Sequence, residues 1–553
     1  MPLIHRRIGL LFAGFVGLLA FAGFKASWLG TVKATTLKHA ATTQQVSEIT
    51  VPARRGAILD RHDVELAVSE PADDVAVTPY LVKDVPRAAK VLAPLLGADE
   101  NDVLRKLARR DTGFVYLARQ LPAQSGAAIA KLAIPGVQLI PTNRRMYPRN
   151  QLASQLLGRV GIDGHGLAGL EYSRDAVLRG HDGTRRLTKD ALQQPIAVQD
   201  TVPAEAGKNL RLTIDAAIQS KVEAVLGAVG QVYRPKGATA IVMDPRDGEV
   251  LAMANWPRID ANDPSGAPDY ARQNRAVGFN YEPGSTFKPF TVAGALGDHV
   301  VQPDTKFELG DTIQVADRTI HNNNNEPGGI FTTEQILAQS NNVGTITIGL
   351  KLGAKRFSRW VNRFGFGRPT GIDLPGEERG QVLARSKYSG SSMGNLPIGQ
   401  GISVTPIQMA DEYAAIANGG MLRPPRVVGA VGGVPTQTPP GKRIMSARTA
   451  SDLRAMLEGV FAPGGTASEV SIPGYDLAGK TGTANKVDPR TGQYSTFNYV
   501  ASFVGFAPAR HPQLLCAVMV DEPQGAIYGG VVAAPAFGQI MAFALPYLRI
   551  PPH

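Results

Sequence analysis

Cysteine is almost missing from the 553-residue chain: Cys516 is the only one, which excludes an internal disulfide and any cysteine-ligated metal cluster. Its apolar neighbours Leu514-Leu515 and Ala517-Val518 make it an inert residue of a buried strand. Histidine is scarce too, nine scattered residues with no HExxH and no close pair, so neither a metal nor a cofactor is expected. Runs of one charge are also lacking. The net charge is +11, but the lysines and arginines are dispersed, which argues against nucleic-acid binding and suits an anionic cell surface. There is no tandem repeat and no low-complexity tail. What remains is the composition of a folded protein, 43% hydrophobic and 19% charged, with 60 glycines and 40 prolines marking many turns. The length calls for roughly two to four domains.

One long apolar run stands out. From Ile8 to Phe24 the chain reads IGLLFAGFVGLLAFAGF, preceded by His5-Arg6-Arg7 and followed by Lys25 and Trp28. That is at the short end of a membrane span, which needs roughly 17 to 25 residues. Arg6 and Arg7 favour a cytoplasmic amino end (1–7), a transmembrane anchor (8–24) and everything later outside the membrane. A cleaved signal peptide is the competing reading, with Ala20-Phe-Ala22 as its cleavage site. The apolar run exceeds the core of about 7 to 15 residues that such peptides carry, which favours a retained single-pass anchor.

After a polar, Ala/Thr-rich stalk (25–47), alternation around Ala57-Ile58-Leu59 and Val64-Leu66 predicts two short strands joined by the turn Asp60 to Asp63. Two short helices are expected from Pro86 onward, divided by Pro94 and Gly97. A glycine-rich stretch, 157–171, turns repeatedly and no buried strand leads into it. Residues 48 to 205 read as one mixed domain. A second, 206–553, opens with the strand Asn209 to Asp215 and the helix Ala216 to Leu226. The runs Gly237 to Met243 and Glu249 to Ala254 flank a turn and predict a hairpin; Tyr499 to Phe506 and Leu514 to Val520 predict another. Antiparallel strands at both ends, with helical sequence between, suggest one sheet completed by the two chain ends.

The chemistry centres on Tyr281-Glu-Pro-Gly-Ser-Thr-Phe-Lys-Pro-Phe290. Pro283-Gly284 breaks the chain just before Ser285, and the apolar residues as far as Leu296 predict a buried helix. Lys288 then lies one turn from Ser285 on the same face, a base beside a nucleophile. Serine and lysine three apart also occur by chance, as an N-capped helix with a surface lysine. Two further clusters change the balance. Ser340-Asn341-Asn342 follows the helical stretch Thr333 to Ala338 and offers a proton relay and an amide for a peptide. Lys480-Thr481-Gly482-Thr483 offers a cation, hydroxyls and a glycine on a strand edge that an extended substrate could join.

Two other patterns compete. Gly474 to Thr481 satisfies GxxxxGK[ST], and Val518-Met-Val-Asp521-Glu522 mimics a second nucleotide-site strand. Such a loop must open a helix, and Gly482, Asp488-Pro489 and Gly492 forbid one there. Gly390-Ser-Ser392-Met-Gly394 matches GxSxG, but it lacks the strand before and helix after, and only His511 and His553 lie downstream as bases.

With Ser285-x-x-Lys288, Ser340-x-Asn342 and Lys480-Thr-Gly482 in this order, the chain resembles the class B penicillin-binding proteins, membrane-anchored peptidoglycan transpeptidases. The resemblance covers nearly the whole length. Arg55-Gly-Ala-Ile-Leu-Asp-Arg61, Arg145-Met-Tyr-Pro148 and Gly169-Leu-Glu171 resemble the family's amino-terminal motifs. Leu212-Thr-Ile-Asp215, Gly401 to Pro406 and Ala417 to Gly420 resemble motifs of its catalytic part. One departure is His62-Asp63, where the family has Asn-Gly, which puts the local turn in question.

The resemblance implies an α/β (α+β) fold: a penicillin-binding, β-lactamase-like transpeptidase domain with an antiparallel sheet flanked by helices and a helical subdomain. An extended mixed pedestal of the dimerisation type (48–205) would precede it. It implies that Ser285 attacks a D-Ala carbonyl of a stem peptide and expels the terminal D-Ala, with Lys288 as base. Ser340 and Lys480 would move protons, Asn342 would hold the peptide amide, and Thr481 and Thr483 would bind the carboxylate beside Gly482. Backbone N–H groups of Ser285 and Thr483 would form the oxyanion hole. Implied partners are lipid-linked nascent peptidoglycan, β-lactams, a polytopic glycosyltransferase and other divisome membrane proteins. The absence of long insertions favours the division type over the elongation type. The alternatives are a scaffold or β-lactam sensor of the same fold, and a carboxypeptidase or β-lactamase, both of which normally lack so long a pedestal.

Overall fold

The computed structural model describes residues 2–36, 46–189, 195–322 and 327–552. Helix α1 (Pro2–Thr31) carries Leu10, Phe12, Leu18 and Phe21 bare to its surroundings. Its apolar window, 27 residues from His5 to Thr31, is long enough to cross a membrane by length and composition. The helix runs seven residues past the expected end at Phe24, because Lys25-Ala-Ser-Trp-Leu contains nothing that breaks it. Of the expected stalk, 25–31 is helical and 37–45 lies outside the described residues.

By its packing the chain divides into two units. The first comprises Met1–Arg54, Pro71–Arg144 and Gly180–Gly207, the second Arg55–Glu70, Arg145–Arg179 and Lys208–His553. The stretch 48–205 thus contributes to both. In the first unit Val46–Val51, Gly183–Lys189 and Pro195–Val202 form an antiparallel sheet. Helices Val85–Leu96 and Glu100–Leu107, capped by Asp84 and Asp99, bury Leu92, Val103 and Leu107 against Val75 and Leu117. The break between them falls at Gly97, whose φ of +63° closes the first helix. Pro94 sits inside that helix, in its last turn.

In the second unit three amino-terminal motifs meet on one carboxylate. Glu171, fully buried, accepts from Arg55 Nε and Arg145 Nε, each at 2.6 Å, and its carbonyl accepts from an Arg55 terminal nitrogen at 2.7 Å. Asp63 adopts φ +63°, so the turn keeps its left-handed residue without glycine; aspartate tolerates that conformation better than most residues. The adjacent His62 Nε2 lies 3.1 Å from Asp215 Oδ2.

The five-stranded sheet of the second unit is antiparallel throughout. Its strands are β1 (Gly237–Met243), β2 (Val250–Trp256), β3 (Ala478–Val487), β4 (Tyr494–Ala507) and β5 (Leu514–Asp521), in the order β2-β1-β5-β4-β3. The two ends of the unit's chain do complete one sheet, and β3 is its edge. Side chains alternate between two covered faces. Ala240 and Val242 meet helices α2 (Ala216–Tyr233) and, later in the chain, Ala534–Tyr547, through Leu226, Phe537 and Ile540. Ile241 and Met243 belong to the other core, with Phe287, Phe290 and Met409. The carboxyl-terminal apolar stretch Gly529–Tyr547 is long enough for a membrane but is mostly buried here as a core element. Cys516 is buried in β5, which pushes its thiol pKa up and leaves it inert.

Candidate active site

The segment before Ser285 is held on both sides. Tyr281 exchanges two backbone hydrogen bonds of 2.9 Å with Val404, and Gly284 N–H donates to the Gly399 carbonyl at 3.1 Å. Gly284 has φ +53°, and a Cβ there would stand 3.0 Å from the Thr483 carbonyl on β3. Glycine is required because the turn is left-handed and presses against a strand backbone. Ser285 then lies in a 3-10 turn, Gly284–Phe287, that leads directly into α3 (Lys288–Gly297). Pro289 occupies the first turn of α3, where a missing N–H does no harm. Phe287 and Phe290 lock this junction into the core; the ring of Phe290 lies 5.3 Å from that of Tyr413, edge to face.

Lys288 is fully buried, not a surface lysine. Its amine donates to the Ser340 carbonyl, to Ser340 Oγ at 3.2 Å and to Asn342 Oδ1 at 2.7 Å. Ser340 lies between α4 (Thr333–Ala338) and α5 (Asn342–Leu352) at φ +62°, a left-handed conformation that costs a serine about 1 to 2 kcal/mol. That strained link joins α4 to α5, and Ser340 offers both its carbonyl and its hydroxyl to the lysine. Asn342 is fixed in turn, its Nδ2 donating to the His321 carbonyl at 3.1 Å.

The third cluster sits on the edge strand. Lys480 is fully buried in β3, and its amine reaches the Thr481 carbonyl and hydroxyl, each at 3.3 Å. Burial draws its pKa down to about 7, so both protonation states are populated near neutrality. Gly482 is where β3 and the Ser285 turn touch: a Cβ there would lie 2.8 Å from Thr286 Cγ2 and 3.0 Å from the Pro283 carbonyl. Thr481 Oγ1 shares a 2.7 Å hydrogen bond with Thr466, and Thr483 Oγ1 accepts from Gly529 N–H at 3.1 Å. The structure thus joins Lys288, Ser340 and Asn342 directly, and it sets Gly482 and Thr483 against the turn that carries Ser285. The competing motifs fall away. Gly474 to Thr481 leads into strand β3 rather than a helix, and Ser392 Oγ accepts from Ser389 N–H in a short helical turn.

Three features had no local sequence signal. Thr466 supports Thr481, and Glu282 accepts from the Tyr494 hydroxyl at 3.0 Å and from Gly401 N–H at 3.1 Å. Tyr413, on helix α6 (Pro406–Ala417), donates its buried hydroxyl to the Thr286 carbonyl at 2.6 Å, one residue from the nucleophile. Tyr413→Phe leaves that carbonyl without its donor, a loss worth about 1 to 3 kcal/mol. The expected result is a roughly tenfold slower acylation by penicillin with unchanged non-covalent affinity, since small displacements of reacting atoms act on rate. An acylation rate equal to the parent's would remove Tyr413 as a positioning residue.

A serine at the head of a buried helix, a buried lysine beside it, a hydroxyl-amide pair on that lysine and a strand edge alongside equip a site for acyl transfer through serine. The comparisons agree. The penicillin binding protein transpeptidase domain model matches residues 238–542, and the penicillin-binding protein dimerisation domain model matches residues 50–212. Penicillin-binding protein PbpB of Mycolicibacterium smegmatis is 34% identical, over 97% of this chain and 89% of that protein. The peptidoglycan D,D-transpeptidase FtsI of Escherichia coli K12 is 32% identical, over 99% of this chain and 93% of its own length. Among solved structures, penicillin binding protein 3 from Mycobacterium tuberculosis in complex with aztreonam superposes with a TM-score of 0.72 at 30% identity, covering 91% of this chain and 98% of that one. This chain belongs to the penicillin-binding protein transpeptidase family.

Proposed function

We propose that the protein is a peptidoglycan D,D-transpeptidase of the septal type, which crosslinks stem peptides through a Ser285 acyl-enzyme and is a target of β-lactams. The observation that carries this is the buried Lys288 amine, hydrogen-bonded to Ser340 and Asn342 at the head of the helix that follows Ser285. Ser285 Oγ attacks the penultimate D-Ala carbonyl as Lys288 takes its proton. The tetrahedral oxyanion collapses, the terminal D-Ala amine leaves with a proton, and the acyl group stays on Ser285. An amine of a second stem peptide then attacks that ester and releases the serine. Ser340 and Lys480 pass protons, Asn342 holds the donor's amide, and Thr481, Gly482 and Thr483 hold its carboxylate along the β3 edge. N–H groups of Ser285 and Thr483 receive the oxyanion.

In this reading 206–553 is the catalytic domain, 48–205 a pedestal, and α1 an anchor with its amino end in the cytoplasm, as Arg6 and Arg7 favour. The pedestal and anchor would meet a polytopic glycosyltransferase and other division proteins in the membrane. The kinship with FtsI supports the septal assignment. The test is labelling of the full-length chain in membranes by a fluorescent penicillin. Ser285→Ala is expected to lose the label by about 10³-fold or more. A label that survives the substitution would sink the proposal.

A further inference from the structure

Beside the nucleophile loop lies a groove of about 940 Å³ that the chemistry above leaves unused. Asn280 and Gly401 line it: Asn280 lies five residues before Ser285, and Gly401 N–H donates to Glu282, three residues before it. Arg368, Arg379 and Arg385 also line it, all three exposed. The backbone that carries the first two is fixed, because the buried Gln408 donates to the Arg368 and Arg379 carbonyls at 2.7 and 3.0 Å. Among the described residues none of the three arginines forms an ion pair with a carboxylate. The carboxylate in the groove, Glu378, accepts from Asn280 Nδ2 at 3.3 Å, and Asn280 Oδ1 is buried without a hydrogen-bond donor.

Three uncommitted guanidinium forks against one engaged carboxylate select an anion, and their planar pairs of N–H groups match carboxylates in particular. A buried amide oxygen lacking a donor asks for an N–H from the same ligand. A peptide with free carboxylates supplies both. We infer that this groove binds the acceptor strand: its carboxylates pair with Arg368, Arg379 and Arg385, a peptide N–H meets Asn280 Oδ1, and its amine is thereby delivered to the acyl-enzyme. This rests on the transpeptidase reading, and it adds a second substrate subsite distinct from the β3 edge that takes the donor.

The experiment separates the two half-reactions in the full-length chain. The triple variant Arg368→Gln, Arg379→Gln, Arg385→Gln is compared with the parent for acylation by fluorescent penicillin. Crosslinking is then measured from a lipid-linked donor to two synthetic stem-peptide acceptors, one with free carboxylates and one with them amidated. The expected result is unchanged acylation and a roughly tenfold loss of kcat/KM for the carboxylate acceptor, as three exposed ion pairs supply. The parent should show the same loss with the amidated acceptor, and the variant should no longer distinguish the two. In the parent, preference for the carboxylate acceptor should shrink as salt rises. Equal crosslinking by variant and parent overturns the proposal, including the case in which the groove holds another wall polyanion. A loss that is the same for both acceptors, or that appears already in acylation, overturns it too. Failure of the underlying reading shows separately, as penicillin labelling that does not need Ser285.

Discussion

Lys288→Met is expected to slow acylation by penicillin by about 10² to 10⁴-fold, the range that a positioned general base contributes. Methionine keeps the length and apolar stem of the lysine and fills the same buried space, so packing around Phe287 and Phe290 is retained. What disappears is the amine that spans from the head of α3 to Ser340 and Asn342. The Ser340 carbonyl and Asn342 Oδ1 then lose a buried donor, for about 1 to 3 kcal/mol of stability. That is far less than the unit's whole stability, so the variant should remain folded while its chemistry fails. The measurement is the acylation rate at saturating penicillin, beside the melting temperature of the same sample. A rate within tenfold of the parent would transfer the base role elsewhere, and Lys480, whose pKa burial draws to about 7, is the residue to test next.

The parts of this site that can be read from sequence are those whose geometry is local. Pro283-Gly284 before Ser285 announces a break and a helix, and Lys288 follows from the period of that helix. The β1-β2 and β4-β5 hairpins are visible because each pair is joined by a short polar turn. Other features carry no such local signal. Tyr413 stands 127 residues from the carbonyl it supports, and nothing in a buried helix tells which hydroxyl will find a partner. Thr466 and Gly529 reach the threonines of β3 only because the chain folds back on that edge. The left-handed Ser340 was unmarked, since glycine usually occupies such a conformation. Glycine was also absent from the Asp60 to Asp63 turn, and there aspartate takes its place at φ +63°. The packing boundary was misleading for a related reason. Residues 55–70 and 145–179 pack with the catalytic unit through apolar residues such as Ile58 and Leu156, and a buried ion cluster, which has no periodicity to announce it, ties the two stretches to each other.

Glu171→Ala is expected to lower stability by about 3 to 5 kcal/mol, the cost of leaving buried cations without their counter-charge. Glu171 is wholly inaccessible, and Arg55 and Arg145 are 7% and 6% exposed, so water can replace the lost carboxylate at neither guanidinium. Arg55 retains Asp175 as a partner, whereas the Arg145 side chain is left with the Gly56 carbonyl and Ser69 Oγ. Arg145 therefore suffers more, and the double variant Glu171→Ala, Arg145→Met should recover part of the loss by removing the unpaired charge. Glu171→Gln keeps the shape and one of the two acceptor oxygens but not the charge, and should fall between parent and alanine. Thermal unfolding of the full-length chain in detergent reads all three, with a drop on the order of 10 °C for the alanine variant at the usual few degrees per kcal/mol. Penicillin labelling of the surviving folded fraction should be nearly normal, because Glu171 touches none of the Ser285 machinery. If alanine left the melting temperature within a degree or two, the cluster would be an ornament of the fold and not the joint that ties residues 55–70 to residues 145–179.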